Sequence, residues 1–314
     1  MSLDIATFSS TFTKNIAKAF YNQADDAMKY SVMSQIFNVS DSSEYTASFT
    51  STEASNGTDW VTESNNYPES SLEKGYKTAF ESAEFGHKLM ITKKARNKVK
   101  DSTEKVLELW NKQKNYAITA LHGFLERNTT GIFNEAFSST KYLAPDGQTL
   151  ISATHERKSS VTTRSNLVPT QVLSSTVVDI VEKTGGAFKS ADGEQMPLNF
   201  KYCMVKKGSS ASRIALKLFA ARNAQGQYSP TTIGAINIYE WSYRVIENPR
   251  MTNDTAYFFL TEDQERSVFA DFIERPKLQN MISERENLDR YTIAGGSMRY
   301  GINNQPFDIM GGHN

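Results

Sequence analysis

The sequence has almost no cysteine. Cys203 is the only one, which excludes an intrachain disulfide and suits a reducing compartment. It sits in the apolar run Tyr202-Cys-Met-Val205 and reads as a small buried residue of a strand. Net charge is also missing: 35 basic residues balance 35 acidic ones. A chain-wide attraction to nucleic acid or to an anionic membrane is therefore not indicated. No apolar run is long enough to cross a bilayer, and the first residues lack the apolar core of a secretory signal. The Asn-X-Ser/Thr triplets at Asn38, Asn56, Asn128 and Asn253 accordingly carry little weight.

Recognisable catalytic machinery is absent as well. None of His87, His122, His155 and His313 has a second histidine or a cysteine at metal-ligand spacing, so no metal site is expected. No Gly-x-Ser-x-Gly elbow occurs. Lys183-Thr-Gly-Gly-Ala-Phe-Lys-Ser190 has the composition of a phosphate loop without its spacing, and Ala294-Gly-Gly-Ser297 is a similar lure. His155, in Ser-Ala-Thr-His-Glu-Arg, is a candidate general base for a hydrolase. Alone in a polar loop it reads better as a surface or hydrogen-bonding residue. No catalytic residue, cofactor-binding residue or metal ligand is assigned, and no cofactor is expected.

What is present is a long hairpin. Residues 44–91 read as two strands around a Ser-, Asn- and acid-rich tip. The first strand puts Tyr45, Ala47 and Phe49 on one face. The second, 76–91, carries Tyr76, Thr78 and Phe80, then Phe85, His87, Leu89 and Ile91, at period two. The tip offers no core of its own, and an isolated two-stranded hairpin is marginal in water. The arm is therefore expected to take its stability from another chain. Between Asp41 and Glu84 acids dominate, against only Lys74 and Lys77; the next stretch, Lys88, Lys93, Lys94, Arg96, Lys98 and Lys100, has no acid. This reversal fits two solvated surfaces, or the acidic arm of one copy lying over the basic neck of another, or a neck that faces nucleic acid. Asp59, Trp60 and Tyr67 at the tip, with Lys93, Lys94, Arg96 and Lys98 on the neck, are the candidate inter-subunit contacts. Trp60 and Tyr67 are the candidate anchors, because aromatics on an otherwise polar tip favour interfaces.

Elsewhere Phe8, Phe12, Ile16 and Phe20 recur every four residues, as on an amphipathic helix that packs on a protein neighbour. Residues 36–39 are a possible short strand. Asp101 and Glu104 make a capping-box-like start to a long helix. Its apolar stripe holds Val106, Leu107, Trp110, Ala117, Ile118, Leu121, Phe124 and Leu125, continued by Ile132, Phe133 and Phe137. About 35 residues at 1.5 Å each give roughly 50 Å, the length of a spine. Pro145-Asp-Gly147 is a turn that leads into a polar loop. A mixed α/β region follows: a helix over 172–183 ending at Gly185-Gly186, a strand over 200–205, a helix over 209–221, and strands over 236–245 and 256–260. The pieces 281–286, 290–294 and 298–302 read as strands that return to the long helix.

This order of elements resembles a tailed-phage major capsid protein of the Hong Kong ninety-seven-type fold. The segment Ala144-Pro-Asp-Gly-Gln-Thr-Leu-Ile-Ser-Ala-Thr-His155, then Ser165-Asn-Leu167, Val172-Leu-Ser174, Asn248-Pro-Arg250, Thr255-Ala-Tyr-Phe-Phe-Leu260 and Arg299-Tyr-Gly301, is similar to the Mu-like major head subunit family. The resemblance implies an α+β fold: an N-terminal arm over 1–43, an E-loop hairpin over 44–91, a P-domain with the spine helix over 92–169, an axial A-domain over 170–271 and P-domain return strands over 272–314. It implies a homo-oligomer of pentamers and hexamers closing into a shell around phage DNA held without sequence specificity. Separate scaffold, portal and decoration proteins would be partners, and no membrane. No long coiled-coil scaffold segment precedes the arm, so scaffolding would be separate or already removed. The location would be the virion capsid, assembled in the bacterial host cytoplasm. A bacterial nanocompartment shell of the encapsulin type, which shares this fold but holds enzyme cargo, and a tail-tube subunit are the alternatives.

Overall fold

The computed structural model describes residues 22, 31–54, 72–91, 103–156, 158, 163–169, 171–189, 195, 197–220, 242–262, 266–278, 282–283 and 290–313. In chain order these form α1 (Val32–Ile36), β1 (Asn38–Asp41), β2 (Thr46–Ala54), β3 (Leu72–Glu81), β4 (Ala83–Ile91), α2 (Thr103–Asn134), β5 (His155–Glu156), β6 (Thr163–Arg164), α3 (Ser175–Gly186) and β7 (Phe200–Lys206). Then come α4 (Ser210–Ala215), β8 (Arg244–Asn248), β9 (Tyr257–Thr261), β10 (Val268–Leu278), β11 (Ile282–Ser283), β12 (Arg290–Ile302) and β13 (Ile309–Gly312). The fold is mixed α/β in two compact units. One draws on the described parts of Met1–Ala47, Phe80–Thr129 and Ala270–Tyr300, the other on those of Ser48–Ala79, Thr130–Phe269 and Gly301–Asn314.

The first unit is built on a five-stranded sheet in which β1, β10, β12 and β11 are successive neighbours and β4 also pairs with β12. The β4–β12 pair is antiparallel and unbroken from Arg290 opposite Ile91 to Met298 opposite Ala83. Two sequence expectations change here. The predicted second hairpin strand, 76–91, is two strands. At Ser82 the chain leaves the hairpin, the Ser82 N–H going to the Tyr45 carbonyl at 3.0 Å, so β3 stays with β2 while β4 joins β12. The side-chain alternation already changes phase there, from even positions up to Phe80 to odd positions from Phe85, and a strand cannot change phase without a break. Likewise 290–294 and 298–302 are one 13-residue strand, and Ala294-Gly-Gly-Ser297 is its middle rather than a loop. The expected strand over 36–39 is also displaced. Ile36 closes the short helix α1, capped by the Ser31 hydroxyl, which accepts from the Ser34 N–H at 3.1 Å. The strand starts at Asn38.

Helix α2 has 32 residues, roughly 48 Å at 1.5 Å per residue, close to the expected spine. Its Asp101 cap lies outside the described residues, as do the N-terminal helix around Phe8–Phe20 and the hairpin tip. Ala117, Leu121 and Leu125 are buried as the stripe predicts, but Phe124 is 45% exposed.

The second unit holds a four-stranded sheet in the order β13–β9–β7–β8, with β7 and β8 parallel and the other pairs antiparallel. All five residues of β9 are buried, so the sheet is covered on both faces and the strand reads as a continuous apolar run. Val177, Val178 and Val181 of α3 pack with Phe200, Cys203 and Val205 of β7, and with Phe219, Tyr243 and Phe259, into one core. Ser174 caps α3. The helix needs glycine at 185, where a Cβ would sit 2.9 Å from the Phe200 ring. The predicted helix after Ser209 is α4 followed by a wider turn over Leu216–Ala220. The hairpin β2–β3 is not wholly unpacked at its base: Phe49 meets Phe269, ring centroids 4.8 Å apart.

Candidate assembly surface

All seven residues singled out from the sequence as inter-subunit contacts, namely Asp59, Trp60, Tyr67, Lys93, Lys94, Arg96 and Lys98, lie outside the described residues. What the structure describes is how the segments bearing them are rooted. Arg299, on β12, is 4% exposed. Its Nε donates to Asp271 Oδ2 at 3.0 Å, one terminal nitrogen to the Glu44 carbonyl at 2.7 Å, and the other to Ser42 Oγ at 2.9 Å. The other Asp271 oxygen accepts from the Ser40 hydroxyl. A planar guanidinium with five fixed donors suits this task, because it can hold a carboxylate and two backbone-proximal oxygens at once. One buried arginine thus fixes residues 40–44, the chain that leads into β2. Removing one partner of such a buried pair costs about 3–5 kcal/mol, mostly through the charge left behind. Arg275 also forks onto Asp41, at 2.8 and 3.0 Å. That pair is exposed and contributes about 1 kcal/mol at most. A strand arginine among small and apolar neighbours was the available signal for this cluster, since a charge on a buried strand face needs a partner.

Large aromatics also face solvent in the first unit. Tyr116 is 74% exposed, Tyr45 60%, and Phe124 stacks on Phe85 with centroids 6.0 Å apart. Tyr116, Ala120 and Phe124 lie four residues apart on α2, hence on one helix face. Tyr116 and Phe124 thus form an exposed stripe on that face.

Of the two readings of His155, a surface or a hydrogen-bonding residue, the structure shows the second, and not at the surface. The flanking segments pair as β5 and β6, and the imidazole is fully buried, its Nδ1 2.6 Å from Asp146 Oδ2. Asp146 Oδ1 also accepts the Gln148 N–H at 3.1 Å. The pair ties the predicted turn at Gly147 (φ 79°) to β5. Asn166 is a second tie. Its Nδ2 is surrounded by the carbonyls of Leu150, Pro306 and Ile309 at 2.8–3.1 Å, while Oδ1 accepts the Ser152 N–H at 2.8 Å. Cys203 is buried in β7 as the sequence indicates, and burial pushes its thiol well up from the ordinary range, which leaves it unreactive. Among the described residues no group of three or more His, Cys, Asp or Glu could hold a metal ion.

The sequence matches no family model and no curated protein. Its backbone is similar to a structure of Microbacterium phage Oxtober96, with a TM-score of 0.50 at 13% identity over 90% of each chain. It is also similar to the virus-like particle from Pyrococcus furiosus, at 0.49 and 9% identity over 96% of this chain and 98% of that one. The procapsid of bacteriophage JBD30 gives 0.47 and 9% over 99% of this chain and 76% of that one. At 13% identity the likeness to the Microbacterium phage structure is one of fold.

Proposed function

We propose that this chain is the major capsid protein of a tailed bacteriophage, many copies of which close into an icosahedral shell around the genome. The observation that carries the proposal is the shared fold with a phage structure over nine-tenths of both chains. The linear order of elements, read from sequence as a Hong Kong ninety-seven-type arrangement of the Mu-like group, agrees with it. In this reading 1–43 is the N-arm, 44–91 the E-loop, 92–169 and 272–314 the P-domain and 170–271 the A-domain. Asp59, Trp60 and Tyr67 clasp a neighbour, and Lys93, Lys94, Arg96 and Lys98 receive its acidic arm. The partners are sister copies in pentamers and hexamers, DNA held without sequence readout, and separate scaffold, portal and decoration proteins. The place of action is the virion, assembled in the host cytoplasm.

Function is then mechanical. The buried Arg299 cluster makes the arm's root rigid, so that a neighbour's pull on the hairpin is carried into the five-stranded sheet. Several modest contacts per copy, engaged together, make loss of one copy rare. Negative-stain microscopy of the purified chain tests the proposal. Closed spherical shells are expected; monodisperse monomers, or rings and tubes, overturn it. Deleting 55–66 should leave a soluble subunit that forms no stable shells, and normal shells from that deletion would refute the clasp.

A further inference from the structure

In the first unit a cleft of about 260 Å³ opens beside the middle of β12. The β4–β12 register sets Ser297 directly opposite Glu84, so both side chains stand on the same sheet face. Glycines 295 and 296 floor the cleft. A Cβ at the first would strike the Phe85 carbonyl, and one at the second the Glu274 carbonyl, so the neighbouring backbones close in on both glycines. Tyr45 also lines the cleft, and Glu274 is a second carboxylate on its lining. Glu274 accepts from Lys277 at 2.7 Å. Glu84 has no hydrogen-bond or ion-pair partner among the described residues. Ser297 is 3% exposed and its Oγ has no partner. A buried hydroxyl without a protein partner leaves a hydrogen bond for a water or an incoming polar group to make.

A free carboxylate and a buried hydroxyl on one sheet face, with Tyr45 beside them, meet the requirements of one ligand type. That ligand is a cation with several N–H donors on an apolar stem: one donor for Glu84, one for Ser297, and the stem along Tyr45. The chain carries such cations in an acid-free run, Lys93, Lys94, Arg96, Lys98 and Lys100. Ile91, the last described residue before that run, lies about 23 Å along β4 from Glu84, at about 3.3 Å per residue. We propose that the cleft receives a lysine or arginine side chain from the 93–100 run of a second copy. This locks neighbouring subunits at the hairpin root, and the inference rests on the shell reading above.

The test is zero-length carbodiimide coupling on particles assembled from a mixture of heavy-isotope and light-isotope chains, with peptide mass spectrometry. The expected product joins the Glu84 carboxylate to Lys93, Lys94, Lys98 or Lys100 in mixed-isotope pairs, and it disappears in Glu84→Gln. That substitution should also raise the subunit concentration for half-assembly roughly tenfold while leaving monomer unfolding unchanged. Particles that assemble with Glu84 coupled only within its own chain, or only to lysines outside the run, overturn the inference and leave the shell reading intact. A chain that stays monomeric overturns both.

Discussion

Asp308 is a buried carboxylate whose acid–base behaviour the fold alters. It accepts the Ser267 N–H at 3.0 Å, and the neighbouring Arg266 favours its charge. Burial outweighs both and raises its carboxyl above the usual aspartate range. An acid that holds its proton more tightly folded than unfolded stabilises the protein fully below the unfolded value, about 3.9. That contribution is lost as pH rises through the folded value. At neutral pH the buried carboxylate is therefore a net cost. Asp308→Asn keeps an oxygen for Ser267 and carries no charge, so it should be more stable than the parent at pH 7, with the gap closing as pH falls through the raised folded value and gone by about pH 4. Urea unfolding of both proteins across that range measures it. A gap that stays constant with pH would show that Asp308 does not titrate in the window.

At the scale of elements, β12 shows how strand identity and glycine content conflict and which wins. Gly295 and Gly296 each lower intrinsic strand preference, by roughly 1 kcal/mol at most, yet the strand runs through both because only glycine lets β4 and β10 come so near. Gly296→Ala pushes a methyl into the Glu274 backbone carbonyl, which cannot swing away as a side chain would. A loss of about 1–3 kcal/mol is expected, the range of an overpacked core, read as a lower urea midpoint at unchanged slope. Unchanged stability would mean that β10 and β12 part at this point without penalty. The same strand explains what the sequence made legible. Helix α3 and strands β7 and β9 could be read directly, because each buries a regular apolar pattern against its own neighbours in the sheet core. The split of the hairpin at Ser82 was encoded as a phase change between Phe80 and Phe85, but alternation does not name the partner strand, so β4's transfer to β12 was hidden. Strand β10 escaped notice because Val268-Phe-Ala-Asp-Phe carries a buried charge, explicable only once Arg299 arrives from 28 residues on. His155 and Asn166 read as loop polarity for the same reason: their partners, Asp146 and the carbonyls near Pro306, are set by tertiary closure. The candidate contact residues were legible as a charge and aromatic pattern alone.

For the whole molecule the argument turns on surface that a monomer has no reason to keep. A helix of an isolated domain turns its apolar residues inward. Helix α2 does so at Ala117, Leu121 and Leu125, yet leaves Tyr116 and Phe124 to solvent. Sequence periodicity counted Phe124 as core because it lies one position from the buried stripe, and a broad stripe on a helix can serve two surfaces. Zero net charge leaves no long-range repulsion to oppose the approach of identical copies, so short-range complementarity decides the contact. The double variant Tyr116→Ser, Phe124→Ser separates folding from assembly. Exposed positions away from buried networks change stability by about 0.5 kcal/mol or less, so the variant should unfold within a few degrees of the parent, about 4 °C at most. Aromatics at the centre of a contact contribute about 2 kcal/mol or more when truncated, so the concentration needed for shell formation should rise by more than about tenfold, measured by light scattering against subunit concentration. A variant that folds and assembles like the parent would show that this helix face looks onto solvent in the finished particle, leaving the hairpin and its root to carry the contacts. A variant that fails to fold would show that the two rings support the monomer itself, which their exposure argues against.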